Sequence, residues 1–582
     1  MMPAHRNRIH AGIIIEPLED RIAPAHVHVV PPTYFHVTSL LDNGSVGTLR
    51  YEIGLANAKA GNDIIVFAPQ LHGSILLDGS ALSITSSLII DGPGANHIVI
   101  DAQGNSRDFD INAKDMKING LAIIDGAVNG NGGAIYCQGP LQMTDCVIAG
   151  STASNGAGGG IYDDAPTAST TATTAAFLLE NSIVTGNTAT GSSGVGGGVW
   201  AQSHQGIQIS GSKIIGNSAS GSGGGMRLYQ DLAAAANLVI SGSVISGNTS
   251  GQHGGGVAVA DYSTGGEEIQ ILASTFTGNQ ASQGGGGIYL KNDSDFKGII
   301  VGATVTDNTT SAGGGGLADN SLKPITLQST RFSGNTAGGA GGGGIRSYGT
   351  HALTVAGCTI TDNTSSGNAG GIESTNGNLI VAGCVISENH ASVNAGGLDF
   401  SNTTGFAKIS GSIIANNTAS RSSGGAYIGS NGAGSGAGLV SVVTTRISGN
   451  TAMDGSGGGL ALQTGSHAVA LIADSITGNV ALGSANYVGG GVNIGDNGIV
   501  TISRGVISGN HSSGSGGGVY VDASATGTIA GVVISGNDAN QSGGGVDHAH
   551  SSTGILKITA PSLVSGNVAA AGRSNIYGES EV

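Results

Sequence analysis

Apolar and polar residues alternate along this chain in short runs, and the runs recur. Segments such as Leu238-Val-Ile-Ser-Gly-Ser-Val-Ile245 place hydrophobic side chains with the period of a half-buried strand. From about residue 130 onward one phrase returns sixteen times: an apolar residue, two spacers, Asn, a polar turn, two glycines and an apolar strand. Its asparagines are Asn187, Asn217, Asn248, Asn279, Asn308, Asn335, Asn363, Asn389, Asn417, Asn450, Asn479, Asn510, Asn537 and Asn567, spaced by 26 to 33 residues. A fixed period of this size predicts a solenoid, in which residues one period apart become neighbours.

One period shows how the coil arises. Between Glu268 and Leu290, Ile269-Gln-Ile-Leu272, Thr275-Phe-Thr277 and Gly287-Ile-Tyr-Leu290 read as strands, with a turn headed by Asn279. Three strands per turn predict an all-β, single-stranded parallel β-helix of triangular section with about 16 or more coils, a rod of roughly 75 Å at ~4.8 Å per coil. The glycines before Ile288 serve positive φ or close backbone approach. The fourteen asparagines can adopt the left-handed conformation and, once stacked, hydrogen-bond along the axis as a structural ladder.

The ends of the chain read differently. Residues 1–32 form an export or targeting tail without fixed structure, and residues 33–128 form an N-terminal cap grading into the first turns. The repetitive β-helix is expected over 129–582. Thr48 can N-cap a helix whose apolar face is Leu49, Ile53, Ala56 and Ala60, with Gly61 ending it. A covering helix protects the open strand edges of a stack.

Two resemblances follow from quoted motifs. GTLRYEIGLANAKAGNDIIVF, then LIIDGPGANHIVIDAQGNSRDFDI and the Gly-Gly repeats, resemble bacterial right-handed parallel β-helix proteins of the pectin-lyase-like superfamily. Phe276-Thr-Gly-Asn279, Phe332-Ser-Gly-Asn335 and Gly132-Gly-Ala-Ile135 are similar to the paired FxxN and GGA[ILV] motifs of polymorphic outer-membrane-protein repeats in autotransported adhesins. IEPLEDRIAPA, in the tail, resembles the LEPR or LEDR-type motif near the start of large bacterial extracellular proteins. Together they imply a secreted or cell-surface bacterial protein that acts by binding. The superfamily also contains polysaccharide lyases and glycoside hydrolases, and a structural spacer is the third alternative.

Composition narrows the partners. A net charge of −16 with no basic run argues against nucleic acid, and no apolar run is long enough for a transmembrane segment. A polysaccharide or surface protein is the expected partner, and a monomer the expected state. Cys146, Cys358 and Cys384 share one slot five residues before the repeat Asn or its counterpart, and Ser182, Ser212 and Ser243 fill it elsewhere. The slot reads as a small buried position, with a Cys358–Cys384 bridge as the alternative.

Aligned on their glycines, the coils share an outward column that runs Tyr136, Tyr162, Trp200, Arg227, Ala258, Tyr289, Ala318, Arg346, Glu373, Asp399, Tyr427 and beyond. It holds six of the 12 tyrosines and the single tryptophan. Tyr136, Tyr162, Trp200, Arg227 and Tyr229 are the candidate ligand-binding strip, suited to sugar rings, although strand propensity and mutual stacking also explain aromatics here. No catalytic set is assigned: Arg346 above Glu373 and Asp399 reads as a surface charge ladder. No cofactor or metal site is assigned either, though Asp163 with Asp164, Asp293 with Asp295, and Glu267 with Glu268 sit where loops could take up Ca²⁺. His548 and His550 lack a carboxylate cluster, and the tail histidines His5, His10, His26, His28 and His36 lack the fixed second shell a metal site needs.

Overall fold

The computed structural model of the chain describes residues 32–581 apart from positions 60, 62, 166–175, 204, 231–236, 262–267, 293–296, 340, 402–404, 430–439, 466–467, 484–487, 496, 550–553 and 579. The predicted tail over residues 1–31, the helix-face residue Ala60, and Asp293, Asp295, Glu267 and His550 fall outside these residues.

The chain winds into a parallel β-solenoid of about 17 turns. Its strands stack into four sheets rather than three, of 20, 18, 16 and 18 strands. In the coil read above, Glu268–Leu272 lies in the first sheet, Thr275–Thr277 in the second, Gln280–Ala281 in a narrow corner sheet and Ile288–Asn292 in the third. The corner sheet is what the sequence reading took for a turn. Two residues after each Asn stay extended and pair with their counterparts above and below, as Gln280 does with Thr249 and Thr309.

Register is maintained from end to end, and it builds the core. Ile240, Ile271, Ile300 and Leu327 are consecutive partners in the first sheet and fully buried. Each such side chain contributes roughly 1.5–3 kcal/mol against the entropy of ordering the chain. First-sheet pairing also runs unbroken through Tyr34–Val37, Asp63–Phe67, Leu88–Asp91, Met116–Asn119 and Leu141–Thr144, so the N-terminal turns and the repeats share one stack.

The helix spans Leu49–Asn57 and stops short of Gly61. Thr48 accepts a hydrogen bond from the Tyr51 amide, and Leu49, Ile53 and Ala56 are buried, so the start and the apolar face follow the sequence. Arg50 ties the helix down through an ion pair to Asp42 at 2.7 Å and bonds to the Ser80 and Ala81 carbonyls. Among the described residues no helix is long and apolar enough to cross a membrane.

Connection lengths differ sharply around the coil. From Met116 to Val533 two residues join the first sheet to the second, as at Leu272 to Thr275, and two join the second to the corner sheet, as at Thr277 to Gln280; outside these coils the first bend takes five residues after Phe67, six after Asp91 and three after Thr559. From the third sheet back to the first the connection ranges from two residues after Tyr577 to eleven after Ala165. Nearly all freedom in length gathers on the two sides of the third sheet.

Candidate functional site

The asparagines occupy one corner in every coil from Asn187 to Asn567. Asn308, fully buried, donates from Nδ2 to the Phe276 carbonyl at 2.9 Å and to Asn335 Oδ1 at 3.0 Å. Its own Oδ1 accepts from the Asn279 backbone amide at 3.0 Å and from Asn279 Nδ2 at 2.9 Å. The pattern repeats from Asn187 to Asn537. Ser151 leads into it by donating its amide to Asn187, and Asn575 receives the last rung from Asn567. The left-handed residue is not the asparagine but its predecessor, which is Gly278, Asp307, Gly334, Asp362 and Glu388 in five consecutive coils, with φ between 56° and 67°. The Asn backbone must stay extended so that its amide can point along the axis at the next carboxamide.

A second ladder lines the neighbouring bend. The amides of Cys146, Ser182, Ser212 and Ser243 each donate to the hydroxyl one coil on, at 3.1 to 3.2 Å. Cys358 and Cys384 are free buried thiols in this column, and the Cys358 amide points at Cys384 Sγ at 3.4 Å. The hydrogen bond to Cys384, then burial, pushes the Cys358 thiol up. Asp474 takes the same place against the Thr445 amide at 2.8 Å, and burial raises it to about 7.

The candidate strip faces away from the bore yet is largely covered. Tyr162, Trp200 and Arg227 are only 9, 9 and 8% exposed. Two arrangements bury them. Along the axis, Tyr162 lies 5.2 Å from Tyr136 and 4.2 Å from Trp200 with rings within 8° of parallel, and Tyr229 tilts against Trp200 at 5.5 Å. Arg107 closes the first end over Tyr136, and Arg227 lies over Tyr229. The aromatic faces are therefore spent on one another, and what turns outward is their edges.

The glycine-rich turn supplies the other cover, folding back over the outer face. Gly285 takes φ +64, and a Cβ there would meet Tyr289 Cβ at 2.9 Å. A Cβ on Gly286 would strike the Gly315 carbonyl at 2.4 Å, and one on Gly287 would crowd the Asn308 carboxamide at 3.1 Å. Three successive glycines thus answer three separate close approaches.

The charged part of the column is also a correction. Arg346 pairs with Glu373 at 2.7 Å, but Glu373 and Asp399 are 5 and 2% exposed, so this is a buried charge stack and not a surface ladder. Burial, opposed by Arg346, raises Glu373, and burial raises Asp399 to about 7, with Ser401 opposing and Glu373 adding. Asp163 and Asp164 are adjacent on the strand Ile161–Ala165 and so face opposite ways. Asp163 points into the bore beside Cys137, fully buried, and burial holds its carboxyl well above the usual range. The two cannot share one Ca²⁺. Glu268 lies within a first-sheet strand and accepts from Gln270 Nε2 at 2.8 Å. His548 also points inward, at 1% exposure. Among the described residues no group of three His, Cys, Asp or Glu is placed to hold a metal ion.

The structure assembles one constellation that sequence reasoning missed. Asp319, fully buried on its side chain, accepts from the Ser321 amide and hydroxyl at 3.0 and 2.6 Å and from the Ser347 hydroxyl at 2.8 Å. His351 Nε2 lies 3.2 Å from Asp319 Oδ2 and 3.1 Å from Ser321 Oγ, while Nδ1 faces the Ala352 carbonyl at 3.1 Å. A nucleophilic triad needs serine on one ring nitrogen and carboxylate on the other. Here both meet Nε2, which makes the group a buried tie between two coils. Burial alone would lower His351, but Asp319 and the nearby carbonyls outweigh it and raise it.

Beside this tie the outward column opens. Tyr289, Ala318 and Arg346 are consecutive partners. His253 stacks on Tyr289 at 4.2 Å, the Arg346 guanidinium covers the Tyr348 ring at 3.7 Å, and a cleft of about 100 Å³ lies between the two pairs. No protein-family model matches the chain, and no curated protein matches it in sequence.

Proposed function

We propose that this chain is an extracellular or cell-surface rod, adhesin-like or matrix-associated, that binds a polysaccharide along the outer side of its third sheet. The observation that carries the reading is where the coil tolerates change. From Asn187 to Asn537 the two-residue bends and the Asn corner repeat without variation, whereas in the same coils the third sheet is flanked by connections of three to ten residues and bears the varied outward column. A spacer needs no such asymmetry. Half-buried Tyr136 and the edges of the Tyr162–Trp200 stack belong to this surface. The resemblances to pectin-lyase-like β-helices and to adhesin repeats support a bacterial, exported rod.

A second reading, cleavage of the bound polymer, is favoured by one feature: Glu373 and Asp399 are in-register carboxyls, both raised by burial. An acid held near 7 suits general acid catalysis. A glycan array probed with the full chain, beside reducing-end assays on the polymers it retains, separates the readings. Retention without new reducing ends supports binding, and turnover lost in Asp399→Asn supports cleavage. Retention of no glycan removes both.

A further inference from the structure

We infer that the cleft at Ala318 is a subsite for a single neutral hexopyranose ring, gripped between Tyr289 on one side and the Arg346–Tyr348 pair on the other. The inference rests on the polysaccharide-binding reading and names the place and the class of sugar. Neighbouring rungs repeat at ~4.8 Å, so walls two rungs apart stand roughly 9.6 Å from each other. In the closed part of the same column, successive rings sit 5.2 and 4.2 Å apart. Two such steps span the distance from Tyr289 to Arg346, and the column supplies only the methyl of Ala318 for the ring between them. The slot is one ring thick, and its ring is missing.

The walls are fixed before any ligand arrives. His253 belongs to the preceding rung, bridged to Gly284, and covers one face of Tyr289. Tyr289 is 7% exposed and packs with Ala318, so it is its uncovered edge beside Ala318 that lines the cleft. Arg346 is held by Glu373 at 2.7 Å and lies flat on Tyr348. The Asp319 carboxyl, on the opposite side of the strand from Ala318, is locked by Ser321, Ser347 and His351, which fixes the strand beneath the cleft. A preformed slot avoids the ordering cost of binding.

The chemistry of the rim selects the occupant. Gln283 and Asn320 line the opening, and a carboxamide offers both donor and acceptor, the match for a sugar hydroxyl. The one guanidinium at the slot already has a carboxylate, which disfavours an acidic sugar and leaves its plane as a stacking surface. A flat apolar face with polar edges is the shape of a pyranose, whereas an aromatic side chain of a protein would leave both amides unused.

The test is titration of the full chain with short neutral glucan, mannan and galactan oligosaccharides and with their uronic-acid counterparts, followed by calorimetry. At least one neutral series is expected to bind, and its uronic counterpart more weakly. Ala318→Phe should reduce that affinity at least tenfold by filling the slot. Tyr289→Leu and the rim variant Gln283→Ala should each weaken it several-fold, and Lys408→Ala, exposed on the first sheet away from the cleft, should leave it unchanged. Trp200 emission and circular dichroism establish that the Ala318→Phe and Tyr289→Leu variants are folded. Undiminished binding by folded Ala318→Phe would overturn the slot while leaving the rod a polysaccharide binder. Preference for the uronic series would overturn the neutral assignment. Failure of every oligosaccharide to bind would overturn the slot and the broader reading together, as would binding of an aromatic peptide in their place.

Discussion

The Asn corner and the outer side of the third sheet are built from the same repeat, yet they behave as opposites. At the Asn corner every coil from Asn187 to Asn567 presents the same carboxamide, with four hydrogen bonds at a typical rung such as Asn308. On the third sheet, partners in one column are Tyr, Trp, Arg, Ala, Glu or Asp, and the flanking connections change length. A ladder cannot vary, because an altered rung leaves buried groups unpaired both above and below it. A column of outward side chains can vary, because the backbone pairing beneath it is independent of what the side chains are. The fold is held on one side so that the other is free to differ.

Four substitutions probe that contrast, in decreasing order of expected effect. Asn308→Ala strands buried donors and acceptors on the two neighbouring coils and should cost about 5 kcal/mol. Hydrogen exchange is the readout, with protection lost first in the coils around Phe276 and Asn335. Retained protection would make the carboxamide ladder incidental. Trp200→Ala opens a gap in the closed ring stack and should cost about 3 kcal/mol, read by chemical denaturation. A negligible change would show that the outer column contributes nothing to the stack's stability.

Asp474→Ser restores a hydroxyl to the second ladder, and pH reveals its effect. The Asp474 carboxyl is raised to about 7 when folded. Its contribution is therefore intact below the unfolded value near 4 and is lost as pH rises through the folded value. The serine variant should match the parent at acid pH and exceed it by on the order of 3 kcal/mol above neutrality. A constant difference across pH would place the carboxyl outside the ladder. Glu388→Gly, at φ 60, should stabilise by about 0.5–1 kcal/mol by relieving left-handed strain. Destabilisation there would mean that the Glu388 side chain contributes contacts beyond its backbone.

How much of this was legible depended on whether the signal was periodic. Asn279 and its counterparts announce the register because each ladder residue recurs alone at nearly constant spacing. The corner sheet was not legible, because a two-residue strand such as Gln280–Ala281 is too short to show alternation. Outward direction could be read from alternation along Gly287 to Leu290, but burial could not. It depends on a positive φ at Gly285 that lays the turn across Tyr289. The same alternation, carried one residue past Tyr162, does place Asp163 inside the bore, so that signal was present and unused. His351 had no such signal, since it lies in a connection, and only the folded chain brings it to Asp319.

Paired insertions test the division between the two sides most directly. A four-residue Gly/Ser insertion between Asn376 and Gly377, in the connection from the third sheet to the first, should lower stability by no more than about 1 kcal/mol and leave exchange protection of the Asn amides intact. The same insertion between Ala273 and Ser274, in a two-residue bend, should abolish protection in the adjoining coils. Equal tolerance of both insertions, or equal loss, would contradict the account.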